Sequence, residues 1–356
     1  MNLSLSSLVL KSVFGSALFT SNNLLFKKCN FKYFASHLFY NNIRFVSFAS
    51  IGSKFDGFLQ NSIYINHVSY DTKQYYGSCD VNISFNIYIN CQAYDRGGAV
   101  YINSPGCSVR VYCCQFFNCR TSDQGGSLFV ENANIIEVYR TLFERSQAGC
   151  SGAYRFGLGP GSIFNETMKN CYEIATKVLS PDYHGNLHST VHFEYRYNNQ
   201  SYSETNSGSY GDFFFCFSFN NGIRYNNFAN GKANRFICVW DNTPSAYLSE
   251  INFRNISSDI FAARSSTSTS IIDFQHCSFI NNYWASICNE KIISVTTSSF
   301  SQSSTNTLQC FVFQSNSMGV SNTRAILCDS QCTSFNTMKY PPSFTRNNFL
   351  FLFLVY

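Results

Sequence analysis

Three histidines at four-residue spacing, His184, His188 and His192, lie in the segment HGNLHSTVH, with Asp182 and Glu194 beside them. Imidazole combined with carboxylate is a ligand set for zinc, copper, iron and nickel, so metal binding is the first chemistry the chain suggests. On a straight strand His188, His192 and Glu194 would share one face, because Val191, Phe193, Tyr195 and Tyr197 occupy the other. No second ligand cluster accompanies them, and a solvated strand face in an inserted hairpin accounts for the same spacing. No metal is assigned on this basis, and no other feature calls for a cofactor.

The remaining reactive residue types are equally sparse in pattern. CCQFFNC (113–119) and CDSQC (328–332) bring cysteines close together, but neither meets a second dyad at zinc-site spacing. The doublets in GGAVYI (97–102) and GGSLFV (125–130) lack the GK[ST] that a phosphate loop requires. Work on a polysaccharide needs paired carboxylates. Only 20 Asp and Glu are spread through 356 residues, with no Asp-Asp pair and no Asp triplet at a regular spacing. The expectation is a protein that is not an enzyme, with a polysaccharide lyase or hydrolase as the alternative.

The elements that carry these residues are strands. Phe and Tyr number 37 and 23, whereas charged residues are only 13% of the chain, about half the usual share. Aromatic and β-branched residues favour strands, and the abundant Asn and Ser favour turns. Hydrophobic residues reach 45%, enough to bury a core. The formal charge of +5 is diluted and forms no basic run, which excludes a nucleic-acid footprint.

The chain also repeats itself. Gly97-Gly98 and Gly125-Gly126 stand 28 residues apart, a degenerate copy follows at SGAYRF around Gly152, and Cys91 and Cys119 keep the same 28-residue phase. Phe253, Phe279 and Phe300 continue a weaker period toward the C-terminus, and segments near 24–34, 42–50 and 62–70 recur on the N-terminal side. A unit of 20–28 residues is too short for a four-stranded propeller blade of about 40 and suits one turn of a β-helix. Coils stacked about 4.8 Å apart place like residues above one another, with Phe inside and Asn at the turns. Cys91 and Cys119 would then be close enough for a disulfide, although a ladder of buried free thiols fits better because Ser146 takes the third position in phase. The glycines Gly97, Gly98, Gly125, Gly126 and Gly152 read as corners where a Cβ would clash or φ is positive.

The GGA-V and GGS-L doublets, with F-x-x-N at 19–22, 39–42, 217–220, 279–282 and 313–316, resemble the repeats of polymorphic outer membrane proteins and of trichomonad-type surface proteins of parasitic protists. That resemblance implies the pectin-lyase-like fold, a single-stranded right-handed parallel β-helix, and a surface or adhesive role. It covers 80–156 best. The expected organisation is an N-terminal cap or weak leader at 1–20, regular coils at 21–156, irregular coils with an inserted hairpin or loop at 157–245, coils again at 246–340, and an apolar tail at 341–356. The eight apolar residues 349–356 are too short to span a bilayer, which takes about 20. Asn2, Asn82, Asn165, Asn199 and Asn255 head N-x-Ser/Thr acceptors. The expected partners are proteins or glycans at the cell surface or outside the cell, with a cytoplasmic location as the alternative, and an inactive fragment of a larger repeat protein as a further reading.

Overall fold

The computed structural model describes residues 2–13, 18–19, 23–41, 47–66, 79–157, 163–179, 186–205, 211–216, 223–239, 246–264, 272–288, 293–296 and 299–300. Every described element is a strand. The strands wind into a parallel β-helix with three faces, represented in one coil by Cys107–Tyr112 on the first, Gln115–Phe117 on the second and Leu128–Glu131 on the third, each coil placing its residues beside those of the next. Val81 of the strand Cys79–Ser84 sits between Phe48 and Val109, and Val109 in turn beside Ile136. Among the described residues the second face stacks twelve strands, one from each coil.

Side-chain alternation drives this arrangement. Cys107–Tyr112 alternates buried and half-buried residues along its length, so Cys107, Val109 and Val111 enter the core while Ser108, Arg110 and Tyr112 face outward. A slip of one residue would invert that pattern and expose the apolar set, so register is strongly held. Between the coils the aromatic rings stack on the second face. Phe55 and Tyr88 lie 4.8 Å apart, Tyr88 and Phe116 4.6 Å, and Phe116 and Phe143 5.1 Å between centroids. Glu173 and Gln200 interrupt this stack, each only 1% exposed, before it resumes at Phe228, Phe253 and Phe279. The Tyr195 hydroxyl reaches Glu173 Oε1 at 3.5 Å inside this polar interval.

Two corners bound the second face, and each is a single residue in the left-handed region. They fall five residues apart in coil after coil: Lys28 and Tyr33, Gly52 and Gly57, Phe85 and Asn90, Cys113 and Asn118, and onward to His276 and Asn281. The corner N–H donates to the carbonyl of the following coil, as Phe85 N does to Tyr112 O at 2.8 Å. Immediately after the first corner, one buried side chain reaches back to the previous coil's carbonyl. Cys114 Sγ donates to Ile83 O at 3.3 Å, Asn198 Nδ2 to Met168 O at 2.9 Å, and Asn226 Nδ2 to Tyr195 O at 2.9 Å. A small donor is needed there because a buried unpaired carbonyl is costly. This explains why Cys and Asn recur in phase with the strands.

The described strands of the middle of the chain belong to the same parallel stack. The strand Asn186–Arg196, expected in an inserted hairpin, pairs in parallel on both sides and is a rung like the others. Residues near the N-terminus are also built in: Asn2–Ser6 and Val9–Val13 form the first rung, with Leu3, Leu5, Leu8 and Leu10 against the core.

Candidate functional site

Of the histidine segment, His188 and His192 lie among the described residues. The strand Asn186–Arg196 passes through a corner, so its first half belongs to the third face and its second half to the first. His188 stands in register with Phe156 on the former, whereas His192 stands with Asn165 on the latter. The two therefore lie on different faces, and the straight strand assumed from the spacing is absent. His184 and Asp182 lie outside the described residues. Among the described residues no group of three or more His, Cys, Asp or Glu is placed to hold a metal ion.

Cys29, Cys91, Cys113, Cys114, Cys119, Cys150, Cys171 and Cys277 are free thiols. Burial pushes the thiols of Cys114 and Cys277 up to about 12 each, so neither is a nucleophile at neutral pH. CDSQC (328–332) lies outside the described residues, as does the apolar stretch 349–356.

The glycine doublets form a tight corner of the third face. Gly97 has φ +59°, and a Cβ on Gly98 would lie 2.6 Å from Arg120 O and in collision with Gly126 O. Their N–H groups are already engaged, Gly97 with Gln124 O at 2.8 Å and Gly98 with Gly125 O at 3.1 Å, so no anion is cradled there.

Beside this corner the fold brings together acids that are far apart in sequence. Arg96 Nε lies 3.9 Å from Asp95 Oδ1 and 4.0 Å from Asp123 Oδ2, while its Nη1 donates to Glu131 Oε1 at 3.0 Å. The Tyr101 hydroxyl donates to the same Glu131 oxygen at 2.9 Å. Arg96 and Arg155 both approach the Phe129 ring, with guanidinium carbons 5.1 and 6.0 Å from its centroid. Burial lifts the Glu131 carboxyl above the usual range, against the pull of Arg96 and Tyr101; burial and then the charge of Asp95 lift Asp123. The signal was present in sequence, since YDRGG and SDQGG each place Asp two residues before the doublet, 28 residues apart. Only a rung of that length turns the repeat into a contact.

The outward row above this cluster is aromatic. Tyr40 and Tyr64 stack at 5.0 Å, Tyr64 and Tyr101 at 4.8 Å, and Tyr101 and Phe129 at 5.6 Å, with planes within 20°. The rings cover one another's faces, and Tyr101 and Phe129 are only 5% and 1% exposed. Such a row lacks the open ring face on which a sugar stacks.

A different surface carries exposed aromatics. Tyr33, Phe85, Tyr197, Tyr202 and Tyr225 all occupy left-handed corner positions along the two rims of the second face. Tyr33, Phe85 and Tyr202 are 61%, 55% and 63% exposed. Between the rims, Ile87, Ile89, Phe117, Leu142 and Ile174 point outward and are half-buried, with Gln115 and Glu144 set among them, and the patch is bounded by Lys54 and Asp56 on one side and by Asn199 and Ser201 on the other.

The N-x-Ser/Thr acceptors differ in access. Asn255 is exposed at a corner, whereas Asn82 and Asn199 are half-buried in strands, and Asn199 Oδ1 accepts from Asn227 Nδ2 at 3.1 Å. Asn2 and Asn165 lie in the strands Asn2–Ser6 and Ile163–Lys169. Among the described residues no helix is long and apolar enough to cross a membrane. The chain matches no protein-family model, no curated protein and no solved structure.

Proposed function

We propose that this chain is a non-catalytic interaction protein whose second face, with its two aromatic rims, binds a protein partner. The observation that carries the proposal is the placement of Tyr33, Phe85, Tyr197, Tyr202 and Tyr225 at positive φ. A bulky L-residue is disfavoured there by about 1–2 kcal/mol. The rings of Tyr33, Phe85 and Tyr202 are more than half exposed and add little to the core, while Tyr197 and the half-buried Tyr225 stack on each other at 5.0 Å. Asn or Gly holds these corners in several coils, at Gly52, Asn90 and Asn118, while Lys28, Arg140, Glu250 and His276 hold them in others, so it is the exposed aromatic rings together with the positive φ that mark the rims. Aromatic residues that cost stability in both respects are supported by recognition, where Tyr and Phe are favoured anchors. The finer resemblance to right-handed, pectin-lyase-like repeat proteins belongs to the same proposal, as does a cell-surface location for the binding face.

The test compares purified wild type with the variant Phe85→Asn/Tyr197→Asn/Tyr202→Asn for binding to itself and to immobilised extracellular-matrix proteins. Surface labelling of intact cells expressing a tagged chain accompanies it. A loss of about tenfold or more in the variant supports the reading. Equal binding by both proteins, or complete protection of the chain in intact cells, overturns it.

One observation favours a second reading, a carbohydrate-active β-helix: Asp95, Asp123 and Glu131 come from adjacent coils and meet at Arg96. Their engagement with that guanidinium argues for a structural ion cluster. Turnover of a polysaccharide that disappears in Asp123→Asn, with the fold intact, would establish the second reading instead.

A further inference from the structure

Two of the free cysteines differ from the rest in what stands above them. Strand register places Ile89 beside Phe117 and Gln92 beside Arg120, so Cys91 and Cys119 occupy equivalent positions on successive coils. Both are 0% exposed. The other ladder cysteines have no such neighbour: register puts Cys114 between Asn86 and Thr141, Cys171 between Thr141 and Asn198, and Cys277 beside Ile251.

Hydrogen bonding separates them as well. Cys114, Cys171 and Cys277 donate to the previous coil's carbonyl at 3.3, 3.5 and 3.5 Å. Cys91 and Cys119 reach theirs only at 3.8 and 4.0 Å, and strand register sets the two residues side by side. Stacked residues one rung apart have Cα atoms about 4.8 Å from each other, inside the range of about 4.4–6.8 Å that a disulfide accepts. The same pair of coils already carries such chemistry. Cys107 is disulfide-bonded, and the residue in register with it is Cys79.

We propose that Cys91 and Cys119 are a disulfide site that staples these two coils when the chain folds in the presence of an oxidant. Two S–H bonds are lost and one S–S bond forms. The two protons and two electrons pass to a small-molecule disulfide, which is cleaved to two thiols. Complete burial keeps solvent and oxidant away from both thiols in the finished fold, so the bond closes while the coils are assembling. This inference is independent of the binding face proposed above.

The test refolds the full chain in a buffer of reduced and oxidised glutathione and alkylates it under denaturing, non-reducing conditions. Trypsin then cuts at Lys73, Arg96, Arg110 and Arg120. In the fraction where Cys107 is linked, peptide 111–120 should remain joined to peptide 74–96 until reduction. Tandem mass spectrometry should place the bond between Cys91 and Cys119. Native reduced protein exposed to the same buffer should form it at least tenfold more slowly. Alkyl groups on both Cys91 and Cys119 in that fraction overturn the proposal, as does a bond from Cys91 to Cys113 or Cys114.

Discussion

Tyr202→Asn should make the protein no less stable while weakening its binding. Tyr202 has φ +55° and its side chain is 63% exposed. Returning a non-glycine corner to a residue that visits the left-handed region routinely relieves about 1 kcal/mol of the 1–2 kcal/mol that an L-residue incurs there. Against this stands the loss of a ring that is about one-third buried, worth less than about 1 kcal/mol. The backbone bond from Tyr202 N to Ala229 O at 3.0 Å is retained, because asparagine keeps the N–H. The next coil already holds Asn230 at this corner, and Asn255 Nδ2 donates to Asn230 Oδ1 at 3.0 Å, so the new amide would extend an existing ladder. The net expectation runs from no change to about 1 kcal/mol of added stability. A stacked solenoid need not unfold as one unit, so native-state hydrogen exchange at Ala229 N and Tyr202 N should accompany urea unfolding followed by circular dichroism. Phe116→Ala, inside the core stack, is the contrast and should lose about 3–5 kcal/mol. A loss of 2 kcal/mol or more from Tyr202→Asn would show that the ring supports the fold, and the argument for a binding rim would fail with it.

Gly98→Ala should cost about 3 kcal/mol, because its methyl meets the immovable backbone of Arg120 and Gly126; a melting curve matching wild type would refute the corner assignment. Asn226→Ala should lose about 2–4 kcal/mol, since Asn198 N and Tyr195 O both lose a buried partner, and faster exchange at Asn198 N should report it. Glu131 and Asp123 are both raised above their ordinary values. The folded state therefore holds their protons more tightly, and stability should fall as pH rises through and just above the carboxylate range. Glu131→Gln should flatten that slope in urea titrations at stepped pH, and an unchanged slope would sink the attribution.

Much of the architecture was legible in local pattern. Alternation of period two in VRVY and IIEVY, the 28-residue return of Gly-Gly and Cys, and phased Phe are enough to imply rungs stacked in parallel, because each follows from neighbours within one coil or one repeat. The corners of the second face were not legible. Phe85, Arg140, Glu250 and His276 all sit at positive φ, and their residue types do not favour it; the conformation is set by hydrogen bonds from the next coil. For the same reason His188 and His192 appeared to share a face and do not: the corner between them leaves no mark on a two-residue alternation. Asp95, Asp123 and Glu131 stand in plain view in the chain, yet their meeting at Arg96 depends on the length of a whole rung. Residue type and spacing determined that this protein stacks and what fills its core. Tertiary structure alone decided which outward side chains meet, since that depends on where each coil turns.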